Sequence, residues 1–166
     1  MAEKIDHDHY TNKHLRNVLG RVKTIAMVGA SANWNRPSYF VMKYLLAKDY
    51  TVFPVNPRAA GEDILAVPCY ASLKDIPERV DMVDIFRGSA AAGPITDEAL
   101  EIDADVIWMQ ISVRNDEAAA KAEAKGKTVI MNRCPKIEYS RLFGELSWGG
   151  FNSNVITAKR SRAYLR

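Results

Sequence analysis

The sequence predicts an α/β fold in which a mainly parallel sheet of five strands is covered by helices on both faces. Short apolar runs rich in β-branched residues alternate with amphipathic segments of helix length, and strands of this kind are typical of parallel sheets. Right-handed crossovers then make the sheet doubly wound and Rossmann-like. The predicted strands are Thr24–Val28, Thr51–Val55, Met82–Phe86, Asp105–Ile111 and Thr128–Met131.

The helices are placed by their start and stop signals. Pro37 suits the first turn of a helix, Asn115 suits an N-cap, and Gly126 suits the position just after a helix. The predicted helices are Thr11–Gly20, Ser38–Lys48, a segment that follows Pro94, and Asn115–Lys125, with a tight corner at Val67-Pro68 and a short helix near Ser72–Lys74.

A chain of 166 residues has the length of one domain. We expect a leader and helix over residues 1–21, the Rossmann-like domain over residues 22–138 and a C-terminal extension over residues 139–166. The net charge of +3 is largely due to the basic end of that extension, so the rest is close to neutral. This distribution predicts no nucleic-acid partner, and it leaves the extension as a possible surface for a protein partner.

The sequence also argues against several other classes of protein. It has no secretory signal pattern and no apolar run of 18 residues, which predicts a cytoplasmic protein with no membrane contact. Cys69 and Cys134 are far apart and indicate neither a disulfide framework nor a zinc site. His7, His9 and His14 could hold a metal ion, but a flexible, solvated leader is the favoured interpretation, so no metal is expected.

Ligands of doubly wound sheets bind beyond the carboxyl ends of the strands, so the loops that follow the strands are the candidate site. After the first strand, Gly29 opens a loop that leads to a helix N-terminus, where N–H groups and the helix dipole favour an anion. Ser31 and Ser38 could donate to phosphate oxygens, and Arg36 could neutralise them. A tight turn with incidental hydroxyl groups is the alternative. The loop matches neither G-x-G-x-x-G nor a P-loop.

The second predicted strand ends in Asn56-Pro57-Arg58, where an NAD enzyme would place an acidic side chain. An arginine there suits a phosphate on the ribose, either the 2′-phosphate of NADP or the 3′-phosphate of coenzyme A (CoA). An ordinary surface arginine after a proline turn is the alternative. The strand ends therefore disfavour NAD.

Three segments, VGASANWNRPSYFVMKYLL, TVFPVNPRAAGEDILAVPCYASLKDIP and DMVDIFR, together resemble the stand-alone CoA-binding-domain family of bacteria and archaea. They resemble more distantly the CoA-binding half of the succinyl-CoA synthetase alpha subunit. The resemblance covers about Val22 to Glu138. It implies that Gly29, Ala30, Ser31, Arg36, Pro37 and Ser38 cradle the pyrophosphate, that Asn56, Pro57 and Arg58 meet the ribose and its 3′-phosphate, that Phe86 and Arg87 line the adenine pocket, and that Gln110 lies near the pantetheine.

The synthetase also uses a phosphorylated histidine in a second domain, and the three histidines of this chain all precede the first strand. We therefore expect CoA or an acyl-CoA to be bound by a non-catalytic binding, sensor or regulatory module. Cys134, beside Arg133, is a possible reactive thiol if the neighbouring cation lowers its pKa, although a packed, inert thiol is the commoner case.

Two other functions remain open at this point. The first is an NADP-dependent oxidoreductase with an atypical phosphate loop, which Arg58 would suit. The missing second and third glycines and the lack of an evident catalytic acid or base at the strand ends speak against it. The second is an interaction protein whose nucleotide pocket is vestigial.

Overall fold

The computed structural model describes residues 5–143, so the basic tail and the expected partner surface beyond residue 143 lie outside the described residues. The strands are β1 (Thr24–Val28), β2 (Thr51–Val55), β3 (Asp63–Ile64), β4 (Val67–Pro68), β5 (Met82–Ile85), β6 (Val106–Met109) and β7 (Thr128–Ile130). The helices are α1 (Asn12–Arg21), α2 (Pro37–Ala47), α3 (Ser89–Glu101), α4 (Asp116–Ala124) and α5 (Pro135–Leu142), with a 3-10 turn at Leu73–Asp75.

The main sheet has five parallel strands in the order β2-β1-β5-β6-β7, which confirms the predicted fold class. The chain moves from β1 outward to β2 and later returns to pair β5 against the other side of β1. The strand order therefore reverses between β1 and β5. At such a switch point the two following loops part in opposite directions and leave a crevice at the carboxyl edge of the sheet.

Alternate strand residues enter two separate apolar cores, one on each face of the sheet. Met27 and Trp108 face the core that is closed by α1, α2 and α5. Ala26 and Ile107 face the core that is closed by α3 and α4. Trp108 is fully buried, as expected for a core residue, and its Nε1–H donates to the carbonyl oxygen of Arg133 at 2.8 Å.

The segment between β2 and β5 contains a hairpin that the sequence did not predict. The expected corner at Val67-Pro68 is strand β4, which pairs antiparallel with β3. Leu65 and Ala66 make the turn with φ values of 52° and 62°. Two successive left-handed residues are typical of a type I′ hairpin turn, which usually carries asparagine or glycine, so Leu-Ala gave no signal.

Helix α3 begins earlier than predicted, because Pro94 lies inside it rather than before it. The helix starts at Ser89, so Pro94 falls in its second turn and cannot donate an N–H to the carbonyl group of Ala90. Ala90 and Pro94 are both exposed, so the missing bond leaves no polar group buried.

Helix α5 was not predicted, and it crosses the expected domain boundary at residue 138. It packs against α1 through a buried polar cluster. Arg141 donates to Glu138 Oε2 from Nη2 at 2.6 Å and to Asn12 Oδ1 from Nη1 at 2.7 Å. Both Glu138 and Arg141 are buried. The leading helix and the last described helix thus form one structural unit with the sheet.

The described part of the leader is solvated at Asp6, Asp8 and His9, as expected, but it is docked on the domain at His7 and Tyr10. The hydroxyl of Tyr10 accepts the N–H of Met131 at 2.8 Å, and Nε2 of His7 lies 3.1 Å from the carboxylate of Glu123. Within residues 5–143, no three metal-ligating side chains converge, and no helix is long and apolar enough to cross a membrane.

The buried ion pair leads to a stability prediction. Arg141→Ala leaves the carboxylate of Glu138 buried without its main partner, so we expect a loss of about 3–5 kcal/mol in the free energy of unfolding. Lys121→Ala is the control, because its pair with Asp97 is half-exposed and should contribute below about 1 kcal/mol. Urea unfolding measures both variants, and equal losses would contradict the structural role given to Arg141.

Candidate functional site

Two adjoining pockets open at the carboxyl edge of the sheet, and they share Pro37, Phe86 and Arg87. The smaller, here called the polar pocket, has a volume of about 420 Å³. The larger, here called the apolar cavity, has a volume of about 780 Å³. The polar pocket is lined by Gly29, Ala30, Ser31, Arg36, Pro37, Ser38, Asn56, Arg58, Phe86 and Arg87.

The structure therefore brings together nearly all the site residues that the sequence proposed. Gln110 and Cys134 line the apolar cavity. Pro57 is exposed, lies in the turn after β2 and lines neither pocket. Trp34 in the first loop is 66% exposed and is likewise absent from both linings.

Gly29 is required by a close approach of two backbone segments at the switch point. Its φ is +91°, a conformation that side chains disfavour. A Cβ atom at this position would overlap the carbonyl group of Phe86, which follows β5. The glycine therefore lets the loops after β1 and β5 lie in close contact before they part, in addition to leaving the polar pocket open.

Asn56 ties the loop after β2 to the loop after β1. Its Nδ2 donates to the carbonyl oxygen of Ala30 at 2.8 Å, and its Oδ1 accepts the N–H of Arg58 at 3.0 Å. Both ends of the amide are thus used within the protein. These bonds fix the course of the loop that carries Arg58, and Asn56 also lines the polar pocket.

Three arginines line the polar pocket, and none of them forms an ion pair within residues 5–143. Arg36, Arg58 and Arg87 are all exposed and lie on the loops that follow β1, β2 and β5, respectively. Most other arginines of the described chain have a carboxylate partner, as do Arg79, Arg114 and Arg141. Three unpaired cations around one pocket favour a ligand with several negative charges.

The N-terminus of α2 adds to this anion-binding character. Arg36 is the N-cap residue, and its side chain makes no capping hydrogen bond. Pro37 has no N–H group and the N–H of Tyr39 donates to the carbonyl oxygen of Arg36 at 3.0 Å, so the N–H of Ser38 and the positive end of the helix dipole are what the helix start offers to an anion. Ser38 is buried in the first turn and lines the polar pocket, whereas the hydroxyl oxygen of Ser31 accepts the N–H of Asn33 at 3.1 Å.

The apolar cavity has a different lining. Apolar side chains from α2, from the loop after β6 and from α5 form most of its wall, and the described residues that line it include no histidine and no carboxylate. Its polar groups are few, namely Asn35, Arg87, Gln110, Cys134 and Lys136. The apolar contributors are Pro37, Phe40, Val41, Phe86, Ile111, Val113 and Ile137.

The environment of Cys134 does not activate its thiol. The side chain is 6% exposed, and burial raises the pKa of the Cys134 thiol. The expected help from Arg133 is absent, since that guanidinium donates to the carbonyl oxygens of Asn132 and Asp8 and lies over the ring of Tyr10. The geometry favours an inert thiol in the cavity wall.

The sequence interpretation missed Asp84, a fully buried carboxyl group on β5. Gln110 donates from Nε2 to both of its oxygens, at 2.9 and 3.1 Å. Burial raises the pKa of Asp84 to about 8, against a smaller lowering by the Gln110 hydrogen bonds. An acidic residue within the apolar run MVDIF was the signal that could have identified it. Lys136 and Ile137 were missed because α5 was not predicted.

Comparisons with known proteins agree with this geometry. A family model described as "CoA binding domain" matches residues 23–140. The Bacillus subtilis protein "Uncharacterized protein YneT" is 37% identical over 126 residues, which cover 76% of this chain and 92% of that protein. The structure of a "hypothetical protein from Pyrococcus horikoshii OT3" has 39% identity and a TM-score of 0.79, and covers 87% of this chain and 100% of its own. ADP-forming acetate–CoA ligase II of Archaeoglobus fulgidus is 36% identical over 78 residues, 46% of this chain and 11% of the ligase.

The buried carboxyl group predicts a particular dependence of stability on pH. Because the pKa of Asp84 is raised on folding, its protonation stabilises the folded state fully below about pH 4, and this contribution is lost as pH rises to about 8. We expect Asp84→Asn to lack that decline, so the variant should gain stability relative to the unmodified protein between pH 5 and pH 8. Urea unfolding at a series of pH values measures this difference.

The matched control for this experiment is Asp103→Asn. Lys127 lowers the pKa of the exposed Asp103, so its titration lies below the pH range used. The difference between this variant and the unmodified protein should therefore stay constant from pH 5 to pH 8. The same constancy in Asp84→Asn would contradict a neutral carboxyl group at position 84.

Proposed function

The chain belongs to the family of CoA-binding domains, and from that membership and the two adjoining pockets we propose that it binds coenzyme A or an acyl-CoA without turning it over. Its role would be that of a binding, sensor or regulatory module. The observation that carries the proposal is the cluster of three arginines that have no ion-pair partner within residues 5–143 and that lie beside a large apolar cavity.

The two pockets match the two halves of the ligand. CoA carries a pyrophosphate and a 3′-phosphate at one end and a long, weakly polar pantetheine arm at the other. The polar pocket supplies arginines and a helix N-terminus for the phosphates. The apolar cavity, which shares a wall with it, supplies room for the arm and for an acyl group.

Each residue takes a role that follows from its position. Arg36 and the start of α2 would hold the pyrophosphate, and Arg58 would meet the 3′-phosphate. Phe86 and Arg87, in the shared wall, would lie beside the nucleotide, and Gln110 would lie along the arm. Asn56 would act indirectly, by fixing the loop that carries Arg58.

The alternative of an NADP-dependent oxidoreductase rests on Arg58 alone, because a cation at this strand end suits either ribose phosphate. The family match favours CoA over NADP, and so does the apolar cavity, because it has room for a pantetheine arm that NADP lacks. The absence of turnover is proposed on separate grounds. The described lining residues of the apolar cavity offer Cys134 as a nucleophile but no histidine or carboxylate as a general base, and burial raises the pKa of the Cys134 thiol.

The role of Arg58 predicts a preference for a 3′-phosphorylated ligand. Calorimetry should show CoA binding more tightly than dephospho-CoA by about 1.5–3 kcal/mol, the usual contribution of a hydrogen bond to a charged group. Arg58→Ala should remove most of this difference. Arg79→Ala is the control, because Arg79 pairs with Asp105 at the opposite edge of the sheet. Equal affinity of the unmodified protein for both ligands would reject the assignment, and no binding of either would support a vestigial pocket.

The described lining of the apolar cavity, which includes no histidine and no carboxylate, predicts that bound thioesters stay intact. Protein incubated with acetyl-CoA or succinyl-CoA, with or without ATP and Mg²⁺, should release no free CoA above background. A chromogenic thiol reagent measures the release after correction for the protein's own cysteines. Sustained multiple turnover would contradict the proposal, and its loss in Cys134→Ser would identify Cys134 as the nucleophile.

A further inference from the structure

A buried acid and a glutamine side chain meet beneath the apolar cavity. Asp84 is fully buried on β5, where its register neighbours are Met27 of β1 and Trp108 of β6. Gln110 is 6% exposed and lines the cavity, and its amide group lies 2.9 and 3.1 Å from the two carboxyl oxygens of Asp84. One end of the Gln110 amide is thus committed to Asp84, and the other end is left for the cavity.

We propose that Asp84 sets which end of the Gln110 amide faces the apolar cavity, and that Gln110 thereby donates an N–H to the carbonyl oxygen of a bound CoA thioester. The inference deepens the proposed function and rests on it, because the arm of CoA must enter the cavity. It names the thioester as the preferred ligand and Asp84 as a positioning residue that acts through Gln110.

The ionised and the neutral forms of Asp84 require different hydrogen bonds from Gln110. An ionised carboxylate only accepts hydrogen bonds, so it takes the N–H groups of Gln110 and leaves the Gln110 carbonyl oxygen towards the cavity. A neutral carboxyl group must donate its proton, and the carbonyl oxygen of Gln110 is the acceptor within reach. The amide oxygen and nitrogen have nearly the same shape, so the side chain can turn over without new space. Its N–H group then faces the cavity.

The surroundings of Asp84 favour the neutral form at neutral pH. No charged group approaches it from β1, where Met27 is its neighbour, or from β6, where Trp108 is. The buried face of α2 contributes Ser38, Val41, Met42 and Leu45, none of which is ionised. Cys134, at the start of α5, is the titratable side chain close enough for the Asp84 charge to raise the pKa of its thiol. Arg87 and Lys136 are the cations of the cavity wall, and the pKa of Asp84 is nevertheless raised, because its burial outweighs the other influences.

The protein should therefore bind CoA thioesters more tightly than CoA derivatives that lack a carbonyl oxygen next to the sulfur. A donor at Gln110 suits a thioester, and an acceptor at the same place does not. The mainly apolar wall, with Phe40, Ile111 and Ile137, suits an uncharged acyl chain. The preference should disappear at high pH, when Asp84 ionises and the amide turns back.

Two ligands of equal length test this inference on the full chain. Butyryl-CoA has the carbonyl oxygen, and S-butyl-CoA is the thioether without it, and neither has a free thiol to titrate. We expect calorimetry at pH 6.5 to show that butyryl-CoA binds about two- to tenfold more tightly than S-butyl-CoA, as for one neutral hydrogen bond. At pH 9.5 the ratio of the two affinities should fall to about one or reverse.

Variants separate the positioning role from a structural one. Asp84→Asn cannot ionise, so its ratio should be the same at both pH values, whereas Gln110→Met should show a ratio near one throughout. Cys134→Ala is the control for titration of the Cys134 thiol. In this variant the ratio of the two affinities should still change with pH, even if both affinities differ from those of the unmodified protein. Circular dichroism confirms that each variant is folded at both pH values.

The outcomes distinguish the two levels of the argument. Binding of both ligands with a ratio that does not change with pH in the unmodified protein would overturn this inference and leave the proposed function intact. The same would hold if Asp84→Asn kept the full pH dependence. Failure of both ligands and of CoA itself to bind would overturn the proposed function, and with it the inference.

Discussion

The contact between Gly29 and the carbonyl group of Phe86 is the constraint on which the rest of the site depends. β1 and β5 are hydrogen-bonded neighbours, yet the chain must leave them in opposite directions to reach helices on opposite faces of the sheet. The two loops can approach this closely only where one of them lacks a side chain. Because they part beyond this contact, the start of α2 lies on one side of the crevice and Arg87 on the other, and both pockets open from this point.

Electrostatics separate the binding edge of the sheet from the opposite edge. At the opposite edge, cations and carboxylates neutralise one another, as in the pairs Arg79–Asp105 and Lys127–Asp103. At the binding edge, the arginines of the polar pocket have no such partners among the described residues. Their mutual repulsion is a modest cost in water, and it is relieved when a polyanion binds. The arginines without a carboxylate partner thus lie at the edge of the sheet where a ligand is expected to bind.

The buried carboxyl group of Asp84 likewise lowers the stability of the fold at a place next to the proposed binding site. A carboxyl group between Met27 and Trp108 contributes nothing to apolar packing that a leucine could not, and its ionisation destabilises the fold. Its hydrogen bonds to Gln110 connect it to the floor of the apolar cavity. A polar residue in such a place fits a role in ligand selection better than a role in folding.

The sequence by itself determined the five parallel strands, the loops that follow them and most of the polar pocket, because strand periodicity and turn residues are local signals. It also gave Asn115 as an N-cap, which the structure confirms through the bond from the Ala118 N–H. Tertiary structure alone decided the β3–β4 hairpin, the start of α3 before Pro94, and helix α5. It also decided that Asn56 bonds to the backbone of Ala30 and Arg58, that Cys134 is buried, and that Asp84 meets Gln110. These features depend on which segments pack against each other, and the free energy of burying a carboxyl group or a thiol is set by neighbours that are distant in the sequence.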